Sequence, residues 1–304
     1  MHPITHAQTR PDHPAMIMAG SGQTVTFAEM DAYANRFAQL LRARGLKRGD
    51  HFAVLMENNV HYLQVVWGSQ RAGTMMVPIS TRLTAPEICY ILKDAGAKFL
   101  LTSTRYAEAI EGIRDECADL PLLIVDGEGE EDYEAALAAQ PAEPIADQAP
   151  GQYMLYSSGT TGRPKGVKPA PPEDDDILAT NPLMGLAVMG AGMPADGSMV
   201  YLSPAPLYHA APIGWCTTAQ RLGGTVVVCT NRRLGVPRSL TLPGETDFLG
   251  AVRRGLAGDC EDVLWRGRRV VSRGIDFIDP GLTDIISSLS VLTLFTLFTS
   301  LIYR

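Results

Sequence analysis

Between Tyr156 and Val167 the chain reads Tyr-Ser-Ser-Gly-Thr-Thr-Gly-Arg-Pro-Lys-Gly-Val, a run too polar and too rich in glycine to be core. Gly159, Gly162 and Gly166 allow positive φ angles and close backbone approach, so that several N–H groups can converge on one anion. Ser157, Ser158, Thr160 and Thr161 add hydroxyl donors, and Lys165 adds a cation. Residues of these types at this density suit a polyphosphate. The run is not a Walker A loop, which needs its lysine directly after a glycine and before Ser or Thr; Lys165 lies between Pro164 and Gly166. The alternative reading is a Gly/Ser/Thr surface turn with an incidental lysine.

The elements around this run must hold it in place. From Thr24 to about Val125 helical and strand patterns alternate, which predicts βαβ units, a mostly parallel sheet and helices on its faces. Thr26 with Glu29 forms a capping box, Met30, Ala34, Phe37 and Leu41 share one helical face, and Gly45 marks a stop. Phe52–Met56 reads as a buried strand, Val60–Arg71 as a helix ended by Gly73, and Met75–Ile79 as the next strand. Thr84, Pro86 and Glu87 start another helix, which Gly96 ends before a strand at Lys98–Thr102; Leu122–Val125 follows as a strand. Gln140–Gly151 reads as a Pro- and acid-rich linker delivering a strand, Gln152–Tyr156, into the glycine-rich run. Beyond it, Pro169–Asp176 reads as a solvated loop, Ile177–Met193 as a packed helix, Met199–Ser203 as a strand, and Thr225–Val228 as a strand after a Gly223-Gly224 turn.

The twelve residues from Tyr156 to Val167 resemble, in order, the signature loop of the adenylate-forming enzymes, the AMP-binding superfamily of acyl-CoA synthetases, aryl-CoA ligases, luciferases and nonribosomal adenylation domains. Pro204-Ala-Pro-Leu-Tyr-His-Ala-Ala-Pro212 is similar to the family's second signature segment, where a Pro-Leu-x-His run borders the acyl and pantetheine channel. The resemblance extends from about Thr24 to Val228. It implies an α/β fold of layered sheets with flanking helices, as in the family's large N-terminal domain, here incomplete and without the mobile C-terminal domain. It also implies ATP-dependent activation of a carboxylic acid, of the fatty type because Pro-Leu-Tyr-His resembles the acyl-CoA branch, to acyl-adenylate and then acyl-CoA, with ATP, Mg²⁺ and coenzyme A taking part. Carried over to this chain, Ser157, Ser158, Gly159, Thr160, Thr161, Gly162 and Gly166 hold nucleotide phosphates, Lys165 adds a mobile cation above them, and His209 borders the acyl site. For His209 a second reading stays open, an imidazole satisfied by backbone groups near a turn.

The chain departs from the family elsewhere. Its Tyr-Gly-x-Thr-Glu segment (metal), its Thr-Gly-Asp segment (ribose) and its C-terminal catalytic lysine find no match, and no lysine follows Lys168. Residues 230–304 read as a non-family segment, rich in arginine with pairs at Arg232-Arg233, Arg253-Arg254 and Arg268-Arg269, and a frame slip or mis-joining near Cys229 would account for it. The division expected is therefore a partial AMP-binding domain over 1–229 and this segment after it, which opens a second functional expectation: a remnant that binds nucleotide or a partner without turnover. The uncharged run 285–303 nears the ~20 residues that span a bilayer, but its Ser/Thr content weakens a membrane reading. A net charge of −7 disfavours nucleic acid as a partner, leaving a small carboxylic acid and a nucleotide. The five cysteines show no C-x-x-C spacing, and the N-terminus has no secretory pattern, so reduced thiols in the cytoplasm are expected.

Overall fold

A computed structural model describes residues 2–157, 164–170, 172, 174–179, 182–190 and 192–230. The arginine-rich stretch after 230 and the apolar run 285–303 lie outside the described residues.

The chain opens with α1 (Pro3–Thr9), whose first turn begins on a proline after a capping His2. Strands β1 (Pro14–Met18) and β2 (Thr24–Thr26) follow, then α2 (Phe27–Ala43), β3 (His51–Leu55), α3 (Val60–Ala72), β4 (Met75–Pro78), α4 (Ala85–Ala95), β5 (Ala97–Ser103), α5 (Ala107–Glu116), β6 (Leu122–Val125) and α6 (Tyr133–Ala138). The second part contains β7 (Gln152–Tyr153), β8 (Leu155–Ser157), β9 (Lys165–Val167), α7 (Pro182–Gly185), β10 (Val200–Ser203), α8 (Ala210–Arg221) and β11 (Thr225–Val228).

Local signals set most of these boundaries. Thr26 caps α2 and Glu29 reaches back to the Thr26 N–H at 2.8 Å, completing the expected capping box. Thr84 and Glu87 do the same for α4. Gly73 and Gly96 end α3 and α4 at φ of 65° and 61°, left-handed positions that a residue with a Cβ occupies at a cost.

Among the described residues the strands form two sheets and a ribbon. One sheet runs β10-β11-β1-β2, parallel except for β2. The other is fully parallel and runs β6-β5-β3-β4-β7. Its strands divide their side chains by alternation. Phe52, Val54, Met76, Phe99, Leu101, Leu123 and Val125 join the larger core with α2, α3, α6 and α8, whereas Ala53, Leu55, Met75, Val77, Leu100, Leu122 and Ile124 pack on α4 and α5. Ala15, Met16, Met18, Val226 and Val228 of the first sheet enter the larger core from its other side. The layers are thus sheet, helices, sheet, helices, the α/β layering expected from the sequence. Helices α2 and α3 approach so closely at Gly68 that a Cβ there would lie 2.7 Å from Phe37.

Three segments differ from expectation. Gln152–Tyr156 is not one strand: Met154 is buried in the core under α4, and the chain leaves the sheet there to begin β8. Ile177–Met193 is not a packed helix but the short α7 and a five-residue π-type turn, Leu186–Gly190. Gly185, Gly190 and Gly192 deprive it of a continuous apolar face, so Met184 and Ala187 pack on Leu222 while Met189 is 90% exposed. The linker before β7 is strapped down: Arg42 pairs with Asp147 at 3.1 Å, Gln39 bonds the Glu143 carbonyl, and the Ala149 N–H donates to the Arg71 carbonyl.

Candidate functional site

The glycine-rich run emerges from the carboxyl edge of the parallel sheet. β7 docks beside β4, with the Gln152 N–H donating to Thr74 and the Met154 N–H to Met76, at 3.1 and 2.9 Å. β8 then pairs antiparallel with β9, placing Leu155 opposite Val167, Tyr156 opposite Gly166 and Ser157 opposite Lys165. Ser157 and Lys165 are thus the last register pair of a two-stranded ribbon. Ser158, Gly159, Thr160, Thr161 and Gly162 lie outside the described residues. The Lys165 side chain is exposed at the start of β9.

The foot of the ribbon is fixed by Tyr156. Its hydroxyl donates to Asp94 Oδ2 on α4 at 2.6 Å, and burial, followed by that carboxylate, raises the phenol above its ordinary value. Gly166 makes room for it: a Cβ there would come within 2.4 Å of Met154 Cε and 2.9 Å of the Tyr156 ring. Past the ribbon, Gln152 Nε2 bonds the Ala170 carbonyl at 2.6 Å and returns the chain to β7.

His209 is on the segment between β10 and α8, where it is the residue just before the helix, with its side chain exposed. Its ring centroid is 4.5 Å from that of Tyr208, and partial loss of water on the side facing the protein, then the charge of Arg82, lowers its pKa from the ordinary histidine value, favouring neutral imidazole at neutral pH. The His209 segment leaves β10 of the other sheet, but its bonds to Asn58, just past β3, bring it to the carboxyl edge of the parallel sheet, where the ribbon also starts. That edge is also a topological switch: β3 hands over to α3 on one face and β5 to α5 on the other, and crevices at such points are where α/β sheets take ligands. Glu57 lies there, accepting from Ser103 Oγ at 2.8 Å.

Asn58 was not singled out in the sequence, yet it holds the His209 segment. Its Nδ2 donates to the carbonyls of Ala205 and Cys229 at 3.0 and 2.9 Å, and its Oδ1 accepts from the Leu207 N–H at 2.8 Å. The side chain is buried and joins the end of β3, the signature segment and the end of β11. The sequence hides this because the neighbouring Asn59, the cap of α3, makes Asn58-Asn59 look like one helix start.

The pattern of AMP-binding enzymes matches residues 4–241, most of the chain. The chain belongs to the AMP-binding enzyme family. The match is wider at both ends than the stretch from Thr24 to Val228 that carries the motif resemblance. Among curated AMP-binding relatives, the chain is 37% identical to long-chain-fatty-acid–CoA ligase FadD13 of Mycobacterium tuberculosis over 53% of this chain and 32% of the relative. It is 31% identical to the fatty acid–[acyl-carrier-protein] ligase ScoC of Streptomyces coeruleorubidus, over 73% and 41%. The chain thus spans about a third to two fifths of the length of these relatives. Among solved structures, the inhibitor-bound N-terminal domain of FACL13 from Mycobacterium tuberculosis superimposes with a TM-score of 0.62 at 28% identity, covering 75% of this chain and 56% of that one. The o-succinylbenzoate CoA synthetase of Bacillus subtilis with its acyl-adenylate intermediate gives 0.59 at 25% identity, over 83% and 58%.

Family members use Mg²⁺, but no group of three or more His, Cys, Asp or Glu side chains among the described residues gathers to hold a metal ion. No helix among the described residues is long and apolar enough to cross a membrane.

Proposed function

We propose that the tip of the β8–β9 ribbon grips the phosphates of ATP and that the domain activates a carboxylic acid, of the fatty type, for transfer to coenzyme A. A carboxylate oxygen attacks the α-phosphorus of ATP, pyrophosphate leaves, and the resulting acyl-adenylate yields its acyl group to the coenzyme A sulfur with release of AMP. Backbone amides and hydroxyls from Ser157 to Thr161, with Gly162 and Gly166 allowing the turn, are assigned to the β- and γ-phosphates, Lys165 to a cation above them, and His209 to the border of the acyl site. The observation that supports this reading is the register of Ser157 with Lys165, which brings the two flanks of the glycine- and hydroxyl-rich run together on a ribbon pinned at its foot, in a chain of the AMP-binding family.

The test is titration of the folded full chain with ATP and magnesium. Lys165→Ala removes a charge-assisted contact worth about 1.5–3 kcal/mol, so affinity falls roughly 10- to 100-fold. Folded protein with no affinity for ATP overturns the proposal. A second reading is nucleotide binding without turnover. Pyrophosphate release with a panel of fatty acids separates the two, since turnover that depends on Lys165 excludes the second. The division of the chain near Cys229 is part of this proposal, and translating its gene in the other two frames tests it; absence of the missing motifs from both frames rejects a frame slip.

A further inference from the structure

Helices α4 and α5 run side by side on the outer face of the parallel sheet, and two contacts fix how they meet. At one a Cβ on Gly112 would meet the Cβ of Ala85 at 2.7 Å, so only glycine permits the approach. One turn past Ala85 stands Cys89, five residues past Gly112 stands Cys117, and one turn past Cys89 the Lys93 ammonium donates to the Glu116 carbonyl at 3.1 Å. Cys89, between Ala85 and Lys93 on α4, and Cys117, next to Glu116 at the end of α5, enter the same apolar cluster. Cys89 is buried and Cys117 is partly open to solvent.

We infer that Cys89 and Cys117 form a dithiol site that closes to a disulfide by exchange with a small-molecule disulfide. The partly open Cys117 is the entry point. Its thiolate attacks one sulfur of the oxidant and expels the other as a thiolate, leaving a mixed disulfide on Cys117. Cys89 then attacks the Cys117 sulfur, its proton passes to the departing small thiol, and the balance is two protein thiols and one disulfide converted to one protein disulfide and two small thiols. Burial, then the neighbouring Cys117 thiol, pushes the Cys89 thiol up to about 12, so it stays protonated until a mixed disulfide is beside it. Cys216 and Cys229 are both buried, which shields them from the same oxidant.

The test treats the native full chain with oxidised glutathione and reads intact mass, peptide map and melting temperature. The expected product has lost two hydrogens, joins the peptides of Cys89 and Cys117, reverts with dithiothreitol and melts at a higher temperature, because the link closes a loop in the unfolded chain. Cys117→Ser abolishes the reaction, and Cys89→Ala stops it at a stable glutathione adduct on Cys117. The wild-type mass and peptide map decide the matter even where a variant folds poorly. A stable adduct on wild-type Cys117, a link between other cysteines, no reaction, or a lowered melting temperature each overturns the assignment.

Discussion

Asn58 shows how much one buried side chain can fix at the residue scale. It satisfies one N–H and two carbonyls on segments about 150 and 170 residues further along the chain. Asn58→Ala strips all three of their partner in a buried setting, where an unsatisfied group costs about 1–3 kcal/mol, and chemical denaturation is expected to show a loss of that order. Asn58→Asp discriminates further. One carboxylate oxygen can still accept from the Leu207 N–H, but the other faces two carbonyl oxygens and repels them. The aspartate variant is therefore less stable than the alanine variant at neutral pH. Its carboxyl pKa is raised in the folded state, so the penalty is present above that value and is relieved as pH falls through it, when the protonated group again donates. Urea midpoints at neutral and acidic pH check the order, and an aspartate variant as stable as the parent at pH 7 rejects the three-bond account.

The elements divide into those set by neighbours in sequence and those set by distant ones. Capping is local, so Thr26 with Glu29, Thr84 with Glu87, and the left-handed Gly73 and Gly96 could be read directly, and the helices they bound follow from them. The family could be read from Tyr156–Val167 for the same reason: the pattern lies in consecutive residues. Strand partners are not local. β1 pairs with β11 some 210 residues later, and nothing in Pro14–Met18 announces that partner. The break at Met154 escaped because a run such as Gln-Tyr-Met-Leu-Tyr fits one strand or two equally well, and the choice is made by the core under α4 and by Asp94. Gly151, just before β7, carries the test of this docking. A Cβ there would lie 2.3 Å from the Ser69 carbonyl oxygen and 2.8 Å from that of Thr74, and backbone atoms cannot swing aside. Gly151→Ala should move β7 off β4, cost about 1–3 kcal/mol as overpacking does, and speed hydrogen exchange at the Gln152 and Met154 amides. Unchanged exchange at both amides would show that the ribbon does not depend on this close approach.

For the whole molecule, the question is what locks the two sheets into one unit through the helical layer between them. Apolar packing supplies most of the attraction, but it is not directional, and the larger core contains a directional bridge. Trp67 of α3 is fully buried and donates from Nε1 to Gln220 Oε1 of α8 at 2.6 Å, while Gln220 Nε2 donates to the Ala15 carbonyl of β1 at 3.0 Å. Arg221 lies over the Trp67 ring at 5.2 Å. One chain of hydrogen bonds thus runs from the helix beside the parallel sheet to a central strand of the other sheet. Trp67→Phe leaves Gln220 Oε1 without its donor, and Gln220→Leu leaves the indole N–H and the Ala15 carbonyl without theirs, so each single change carries an orphaned buried group at about 1–3 kcal/mol besides its packing loss. The double variant orphans only the Ala15 carbonyl. Its destabilisation should fall short of the sum of the singles by about 0.5–3 kcal/mol, a coupling that chemical denaturation of the four proteins measures directly. Additivity within about 0.3–0.5 kcal/mol would mean that the bridge does not join the layers and that shape alone sets how the two sheets sit across the helices.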